Sequence, residues 1–180
     1  GGKGVATAAG INADSYMTRS NTVRSSDSTT KQISYYLGTE PGEETVEWSQ
    51  EYNYNGTLVK TTTIYTRNAS GALIKSEVFK DETVRDSKPT SLILKKSETV
   101  YQGNKGDEKA DYTNTYKANG TDIDTVTTYY YHITGDDFAA AADASADSYM
   151  TRSDTVRFSD SSTKQISYYS GTEPGEETVE

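Results

Sequence analysis

Several residue types are scarce or missing in this 180-residue sequence, and each absence excludes a class of chemistry. There is no cysteine, so disulfide frameworks and thiolate catalysis are excluded. The single histidine, His132, and the lack of a phosphate-binding glycine loop or a nucleophile elbow give catalysis little support. No apolar run approaches the roughly 20 residues of a membrane span, and no signal peptide is visible at the start. We therefore expect a protein that is not an enzyme, needs no cofactor and inserts no part of this segment into a membrane.

The charge balance is acidic, with a formal net charge of −9 and a pI of about 4.7. Nucleic acid and anionic membranes are disfavoured as partners, because both are bound through Lys and Arg. An acidic chain can instead bind Ca²⁺, which takes about six to eight oxygen ligands. The candidate ligands are Asp122, Asp124, Asp136 and Asp137, although none has the spacing of an EF-hand loop. The alternative is that these carboxylates are solvated charges on loops.

Apolar residues are few, but aromatic residues are not. The hydrophobic fraction is 32%, and the chain contains 15 Tyr, 3 Phe and 1 Trp. Disordered chains are poor in aromatic residues, whereas tyrosine suits the half-buried surface of a pleated sheet. We therefore predict thin β layers, in which much of each strand faces water, in place of a thick core.

The strongest feature of the sequence is an internal duplication. Residues 14–47 and 147–180 are identical at 30 of 34 positions, at an offset of 133 residues. Near-identity over this length indicates tandem copying of a unit of about 133 residues. The four differences are Asn21/Asp154, Ser25/Phe158, Thr29/Ser162 and Leu37/Ser170.

The duplication predicts the domain organisation. Residues 1–13 are the end of a preceding junction, 14–146 are one full repeat unit, and 147–180 begin the next unit. Within the full unit, the Ala-rich segment 138–146 is the connector, which forms either one or two helical turns or an extended linker. A long array of such units is expected; the alternative is a two-domain protein with a truncated second copy.

Strand signals dominate each unit. Val46, Trp48 and Tyr52 fall on alternate positions, which indicates a strand with one covered face. Asn-Gly and other Gly-containing segments between such runs are typical of chain reversals. The predicted fold is all-β, with antiparallel hairpins in tandem units that form an elongated array. The predicted strands are 15–25, 29–37, 43–54, 57–67, 72–84, 91–101, 109–117 and 122–134.

Two neighbouring hairpins share a pattern of Tyr, a turn with Asn and Gly, and then Leu. The pattern occupies residues 52–58 and 65–73. It resembles the YD repeats of RHS-type proteins, which are long bacterial surface or toxin-shell proteins, although the Asp after the second Tyr is Asn here and the usual Arg after Gly is Thr57 or Ala72. The resemblance implies a spiralling sheet of antiparallel β-hairpins.

Three asparagines, Asn55, Asn68 and Asn119, match the acceptor pattern for N-glycosylation, and all three lie in predicted turns. An acceptor asparagine must be exposed, and a turn provides that exposure. The alternative is that Asn followed by Gly or Ser is simply the chemistry that hairpin turns use.

Runs of adjacent tyrosines place aromatic rings on both faces of a strand. A strand covered on both faces packs between layers or meets a partner, and exposed tyrosine can bind sugars or stack against other subunits. Core packing and surface recognition are both open at this point. The candidate surface contacts are Tyr35, Tyr36, Tyr129, Tyr130 and Tyr131.

Domain-sized tandem repeats commonly make elongated molecules in which each unit contacts mainly its neighbours. We predict a structural segment of a long extracellular fibre, stalk or surface filament that acts through length and self-association. Its partners would be neighbouring repeat units or copies of itself. The alternative is a carbohydrate-binding or adhesive module at the cell surface, with surface glycans as partners.

Overall fold

The computed structural model describes residues 14–135 and 137–180 and confirms the all-β fold. Twelve strands occur in these ranges, in antiparallel hairpin succession and without an α-helix. Along the sheet the order is β1 to β8, then β10, β11 and β12, while β9 pairs with β8 off this path. The strands are β1 (Arg19–Val23), β2 (Thr30–Leu37), β3 (Thr45–Tyr52), β4 (Val59–Arg67), β5 (Leu73–Lys80), β6 (Lys95–Gln102), β7 (Lys109–Tyr116), β8 (Ile123–Thr134), β9 (Asp137–Ala140), β10 (Met150–Arg157), β11 (Thr163–Ser170) and β12 (Thr178–Val179).

The eight strands predicted within one unit correspond to β1 to β8, and the differences lie at their ends. The largest concern the first, fifth and sixth strands, and β5 ends at Lys80 although the prediction ran to residue 84. β1 is shorter than the predicted 15–25, and β6 begins at Lys95 although the prediction began at residue 91. The backbone at Leu94 instead lies against Gly120 in the β7–β8 turn, a contact between distant residues that local alternation does not encode.

Register shifts interrupt most of the ladders, as in β2–β3, where Tyr35 lies opposite Trp48 but Tyr36 lies opposite Val46. Directly opposite residues share a face of the sheet, and neighbouring residues of β2 point to opposite faces. The prediction that Val46 and Trp48 share one face is therefore wrong, because the intervening bulge reverses the alternation. A bulge also increases the local right-handed twist of the strands.

The first compact unit contains the described residues up to Thr62 together with Glu82–Lys88. Its small apolar core comprises Ile33, Tyr52 and Val59, with Tyr35 packed against it. The Tyr35 ring stacks on Trp48 at 4.0 Å between centroids, with the two planes only 2° apart. A core of this size agrees with the expectation of a thin layer.

Residues 82–88 form a strap that is fastened to this unit by polar contacts. The side chain of Gln50 is fully buried and donates hydrogen bonds to Thr62 Oγ1 at 3.0 Å and to the Thr83 carbonyl at 2.8 Å. Its Oε1 accepts the Arg85 N–H at 3.0 Å. The Tyr35 hydroxyl donates to the Arg85 carbonyl at 3.0 Å. The buried Gln50 amide and the Tyr35 hydroxyl thus hold a segment that is not itself a strand.

The second compact unit contains Thr63–Asp81 and Pro89–Glu180. On one face of its sheet, the registers place hydroxyl residues side by side across five strands. Two neighbouring pairs in this row are hydrogen-bonded, Thr99 to Thr113 and Thr127 to Thr155, both at 2.8 Å. The row comprises Ser76, Thr99, Thr113, Thr127 and Thr155. Hydroxyl pairs therefore hold neighbouring strands together where a thicker protein would use apolar contacts.

The opposite face of β5 and β6 carries a cluster of charges. Glu77 and Glu98 lie directly opposite each other, an arrangement that is unfavourable on its own. Lys95 bridges them, with its Nζ at 2.6 Å from Glu77 and 2.8 Å from Glu98, and Lys75 lies 3.1 Å from Glu77. Burial alone would raise the pKa of Glu77, but the bonds from Lys95 and Lys75 outweigh it and lower the pKa.

A shorter repeat lies inside the 133-residue unit. Residues 42–67 and 106–131 align without a gap at an offset of 64, and 9 of these 26 positions are identical. The two segments carry corresponding turns and strands, β3–β4 and β7–β8. Each unit is therefore built from two half-units, a period that the sequence analysis missed.

The repeat period and the compact units do not share boundaries. The boundary between the two compact units falls within β4, between Thr62 and Thr63, whereas the predicted boundary between repeat units follows residue 146. The predicted junction at residues 1–13 lies outside the described residues. None of the helical segments in the described part of the chain has the length and apolarity to traverse a bilayer.

Candidate functional site

The candidate site is the unit junction, which comprises β8, β9, residues 141–149 and β10. Three of the five predicted tyrosines, Tyr129, Tyr130 and Tyr131, meet the connector and the second copy of the repeat there, whereas Tyr35 and Tyr36 lie on β2. After β8 the chain turns at Gly135 and runs back as β9, antiparallel to the end of β8. Ala141–Asp143 then form a single 3-10 turn, and the chain continues to β10, which pairs with β8. The two conformations considered for segment 138–146 therefore both occur, an extended strand followed by one helical turn.

The connector buries Tyr131, so its prediction as a surface contact is wrong. Only 4% of Tyr131 is exposed, and Ala141 of the connector and Ser148, which follows the connector, are also buried. The Tyr131 hydroxyl donates to the Ala110 carbonyl at 2.7 Å, and burial raises the pKa of this phenol. Lys109 donates to the Ala146 carbonyl at 3.0 Å and lies 5.6 Å from the Tyr131 ring. Tyr131 is thus the anchor over which the connector closes.

An aromatic patch, formed by Tyr130 and Phe138, lies on the face of β8 opposite to this anchor. The two rings meet edge to face, with centroids 5.5 Å apart, and Phe138 is 45% exposed. The Arg152 guanidinium lies 5.9 Å from the Tyr130 ring and 5.7 Å from the Phe138 ring. Asp154 accepts two hydrogen bonds from Arg152, at 2.6 and 2.7 Å, which raise the pKa of this arginine. The patch combines exposed apolar surface with a fixed positive charge.

The remaining candidate tyrosines are half-buried; Tyr35 bonds to the strap, whereas Tyr36 and Tyr129 are hydrogen-bonded within the sheet. Tyr36 bonds to Ser20 at 3.0 Å, and Tyr129 bonds to Thr113 at 3.1 Å. The same bridge joins Ser76 to Tyr101 and Ser153 to Tyr169. In every case the hydroxyl residue that bonds to the tyrosine lies directly opposite a Ser or Thr of the neighbouring strand. The tyrosine follows that Ser or Thr by two residues. A Ser/Thr-x-Tyr pattern in the second strand of each pair could have revealed these bridges; its members are 34–36, 99–101, 127–129 and 167–169.

A second recurring device is a glutamate clamp, in which one carboxylate ties a turn to the start of an earlier strand. Glu108 accepts the Gly106 N–H at 3.0 Å and the Leu73 N–H at 2.8 Å. Glu44 does the same with Gly42 and Met17, and Glu177 with Gly175 and Met150. The spacings of 64 and 69 between the three glutamates add up to the unit period of 133. The clamp at Glu177 positions the first residue of β10, at the unit junction.

Replacing Glu108 with glutamine should weaken this clamp by about 1–2 kcal/mol at neutral pH, because hydrogen bonds to a charged acceptor are stronger than hydrogen bonds to a neutral one. Burial would raise the pKa of Glu108, but the N–H groups of Leu73 and Gly106 outweigh it and lower the pKa. A lowered folded-state pKa stabilises the protein above the unfolded value near 4.5 and loses this effect as the pH falls. The difference between E108Q and wild type in urea unfolding should therefore shrink on acidification below that value. A difference that stays constant with pH would show that the charge has no role.

A groove of about 350 Å³ lies near the junction, between two glycine turns. Its walls include Glu108, Glu177, Tyr131 and Lys109. Both carboxylates are already committed to backbone N–H groups as clamps, and Tyr131 and Lys109 are held as described above. The two carboxylates that line the groove therefore hold the turns in place.

Three of the four candidate Ca²⁺ ligands fall within the described residues, and these three lie in a turn or at strand ends. Asp122 is exposed and accepts a hydrogen bond from Asn119 Nδ2 at 2.9 Å, and Asp124 lies near the start of β8. Asp137 begins β9, and Asp136 lies outside the described residues. Across residues 14–135 and 137–180, no group of three or more His, Asp or Glu side chains converges on a common point.

The three candidate glycosylation asparagines all lie in turns, as predicted. Asn68 Oδ1 accepts hydrogen bonds from the Ser70 N–H and hydroxyl and from the Ala72 N–H. Asn119 Oδ1 accepts from the backbone of Thr121 and Asp122, and its Nδ2 is also bonded. Asn55 is exposed. At Asn68 and Asn119 the side chain shapes the turn, which accounts for the residue type without a modification.

His132, the one histidine, also has a structural setting at the junction. Its ring stacks on Tyr149, with centroids 4.6 Å apart, and its Nε2 lies 3.0 Å from the Gly135 carbonyl. The His132 N–H donates to the Tyr149 carbonyl at 2.8 Å. These contacts join β8 to the residue that precedes β10.

No family model matches the chain, and neither a curated protein nor a solved structure shows significant similarity to it. The resemblance of the Tyr-rich hairpins to YD repeats therefore stays a prediction.

Proposed function

We propose that the chain is a structural segment of a long extracellular fibre, stalk or surface filament. In this proposal each repeat unit adds its strands to the sheet of the unit before it, and the partners are neighbouring units or further copies. The protein acts through length and self-association and carries out no reaction.

The observation that carries the proposal is the pairing of β8 with β10. β8 belongs to residues 14–146, the first copy of the unit, and β10 belongs to the second copy. They pair over the register from Thr125 opposite Arg157 to Tyr131 opposite Met150. Successive units are thus joined by a β ladder, and a ladder can be repeated with every further unit.

The clamps and bridges give the same support at a finer level. The Glu clamp and the Ser–Tyr bridge recur in both half-units and in the second copy. A device that recurs with the sequence period needs contacts only from its own and adjoining strands. Such local dependence is what allows an array of repeats to grow without limit.

Lengthening the chain by one period should lengthen the molecule in proportion. Glu180 corresponds to Glu47 in the first copy, so a chain in which residues 48–180 are repeated after Glu180 contains one further unit. Eight strands at about 4.8 Å each should add roughly 40 Å to the maximum dimension in small-angle X-ray scattering. The 180-residue chain, measured under the same conditions, is the reference.

An added unit that leaves the maximum dimension nearly unchanged would overturn the fibre proposal. The aromatic patch of Tyr130, Phe138 and Arg152 would then favour the second candidate, a carbohydrate-binding or adhesive surface module. Its exposed ring and fixed guanidinium are chemistry that stacks on and hydrogen-bonds to sugars. A glycan array probed with the chain, with Arg152→Ala as the matched variant, tests that candidate.

A further inference from the structure

The edge of β1 is the surface in the described residues whose occupant can be identified from the molecule itself. β1 pairs with β2 and stands at the end of the strand order. β10 is its copy, since residues 16–23 and 149–156 differ only at Asn21, which is Asp154 in the second copy. β10 pairs with β11 on one side, as β1 pairs with β2, and with β8 on the other.

The backbone groups of β1 point in the direction that such a partner requires. Tyr36 N–H donates to the Thr18 carbonyl at 3.0 Å, so Thr18 and every second residue after it bond to β2. The intervening residues Arg19 and Asn21 direct their N–H and C=O groups to the other side. In the second copy, the Phe158 N–H donates to the Asp124 carbonyl of the β8 side at 3.0 Å. By the same alternation, Arg152 and Asp154, which match Arg19 and Asn21, direct their backbone groups to β8.

Side chains of β1 and of the residues just before it are exposed. Tyr16 and Met17 are each 43% exposed, and Val23 is 48% exposed. Their copies Tyr149, Met150 and Val156 are only partly exposed beside β8. Two contacts cover the copies beside β8: the Tyr149 ring stacks on His132, and Arg152 lies over Tyr130. The first copy has the same residue types at the matching positions, Tyr16 and Arg19.

We propose that the outer edge of β1 binds the β8 strand of a preceding repeat unit, in the register that β8 adopts with β10. The inference rests on the proposed function, because it names the partner through which the array continues. Subtracting the period of 133 from the observed register places Tyr130 of the incoming strand opposite Arg19, Thr128 opposite Asn21, and Val126 opposite Val23. Tyr16 then stacks on His132, Arg19 covers Tyr130, and Thr22 bonds to Thr127, as their copies do in the second unit.

The proposal is tested by adding a peptide with the sequence of residues 123–146 to the full 180-residue chain. Saturable binding of one peptide per chain is expected in a fluorescence anisotropy titration. In hydrogen exchange, the amides of Arg19 and Asn21 should gain protection until they match Arg152 and Asp154 in the same molecule. A peptide with Thr128→Pro, which loses the N–H directed at β1, should bind at least tenfold more weakly. A peptide with Thr127→Pro, whose lost N–H faces away, should bind more tightly than the Thr128→Pro peptide.

A matched pair of chain variants separates this edge from binding elsewhere. Arg19→Ala should weaken peptide binding about tenfold, because the guanidinium no longer covers the incoming Tyr130. Arg152→Ala removes the same side chain from the copy whose edge is already occupied, and it should leave peptide binding within twofold of wild type.

A covalent version removes any dependence on the solubility of the peptide. In this chain, residues 123–146 replace residues 1–13 and so precede Asp14 as they naturally precede Asp147. Protection of the Asn21 amide equal to that of Asp154 supports the proposal, and an Asn21 amide that exchanges as it does in the original chain overturns it. Small-angle scattering of the chain with one further unit is an independent measurement. If that chain grows in length but the Asn21 amide gains no protection, the fibre proposal stands and the proposed register is overturned.

Discussion

Replacing Tyr131 with alanine is expected to lower the free energy of unfolding by about 3–5 kcal/mol, the usual cost of removing a buried aromatic ring. The ring is 4% exposed beneath the connector, and its hydroxyl is bonded to the Ala110 carbonyl. Its removal leaves a cavity at the point where one repeat unit continues into the next. Urea unfolding followed by tyrosine fluorescence and by circular dichroism measures the loss, and coincident curves justify a single free energy.

Tyr130→Ala is the matched control, because it removes the same side chain one residue away on the opposite face. Tyr130 is half-buried, so its loss should cost about 1 kcal/mol, in the range of ordinary substitutions. Tyr131→Phe keeps the ring and removes only the hydroxyl bond, which should also cost about 1 kcal/mol. Equal losses for Tyr131→Ala and Tyr130→Ala would show that the connector does not close over Tyr131.

The second large effect is expected from Gly120→Ala, at about 2–5 kcal/mol. Gly120 has a φ of +73°, and a Cβ built on it would lie 2.6 Å from Leu94 Cα and 2.8 Å from the Ile93 oxygen. The positive φ costs a non-glycine residue about 1–2 kcal/mol, and the collision with backbone atoms adds an overpacking cost of about 1–3 kcal/mol. Urea unfolding of the variant measures the sum of both costs.

Gly106→Ala separates the two contributions. Gly106 has a φ of +95°, but a Cβ there would meet no atom within 4 Å. It therefore carries the cost of the backbone conformation without the collision, and should lose about 1–2 kcal/mol. If the two alanine variants were equally stable, the β7–β8 turn could not lie against the start of β6 as the structure places it.

Strands and turns were predictable because they are local. Alternation of apolar and polar residues marks a strand, and Gly56 and Gly120 follow Asn in turns that need positive φ. The bulge beside Tyr35 was not predictable, since one extra residue changes the face of Val46 without changing the pattern. β9 was hidden because Asp137–Ala140 is an Ala-rich segment whose strand conformation depends on pairing with β8.

The candidate site was predictable only in part. Alternation correctly placed Tyr129 and Tyr131 on one face of β8 and Tyr130 on the other, but it cannot tell what covers a face. The connector covers Tyr131, and the Glu clamps join residues that lie 27 and 35 positions apart in the chain. The half-unit period was detectable at the glutamates and at the Ser/Thr-x-Tyr segments. It was obscured because the loop between β5 and β6 is longer than the loop between β1 and β2.

Rows of paired hydroxyl groups, in place of a thick apolar core, affect how the fold responds to temperature. Exposure of apolar surface raises the heat capacity of unfolding, and exposure of polar surface lowers it. A sheet held by Thr99–Thr113 and Thr127–Thr155 pairs should expose little apolar surface and much polar surface when it unfolds. We therefore expect its heat-capacity increment per residue to fall below the usual value of roughly 12–15 cal/mol/K, and its curve of stability against temperature to be flatter. If the units form the proposed array, we expect it to keep nearly the same stability across a wide range of ambient temperatures.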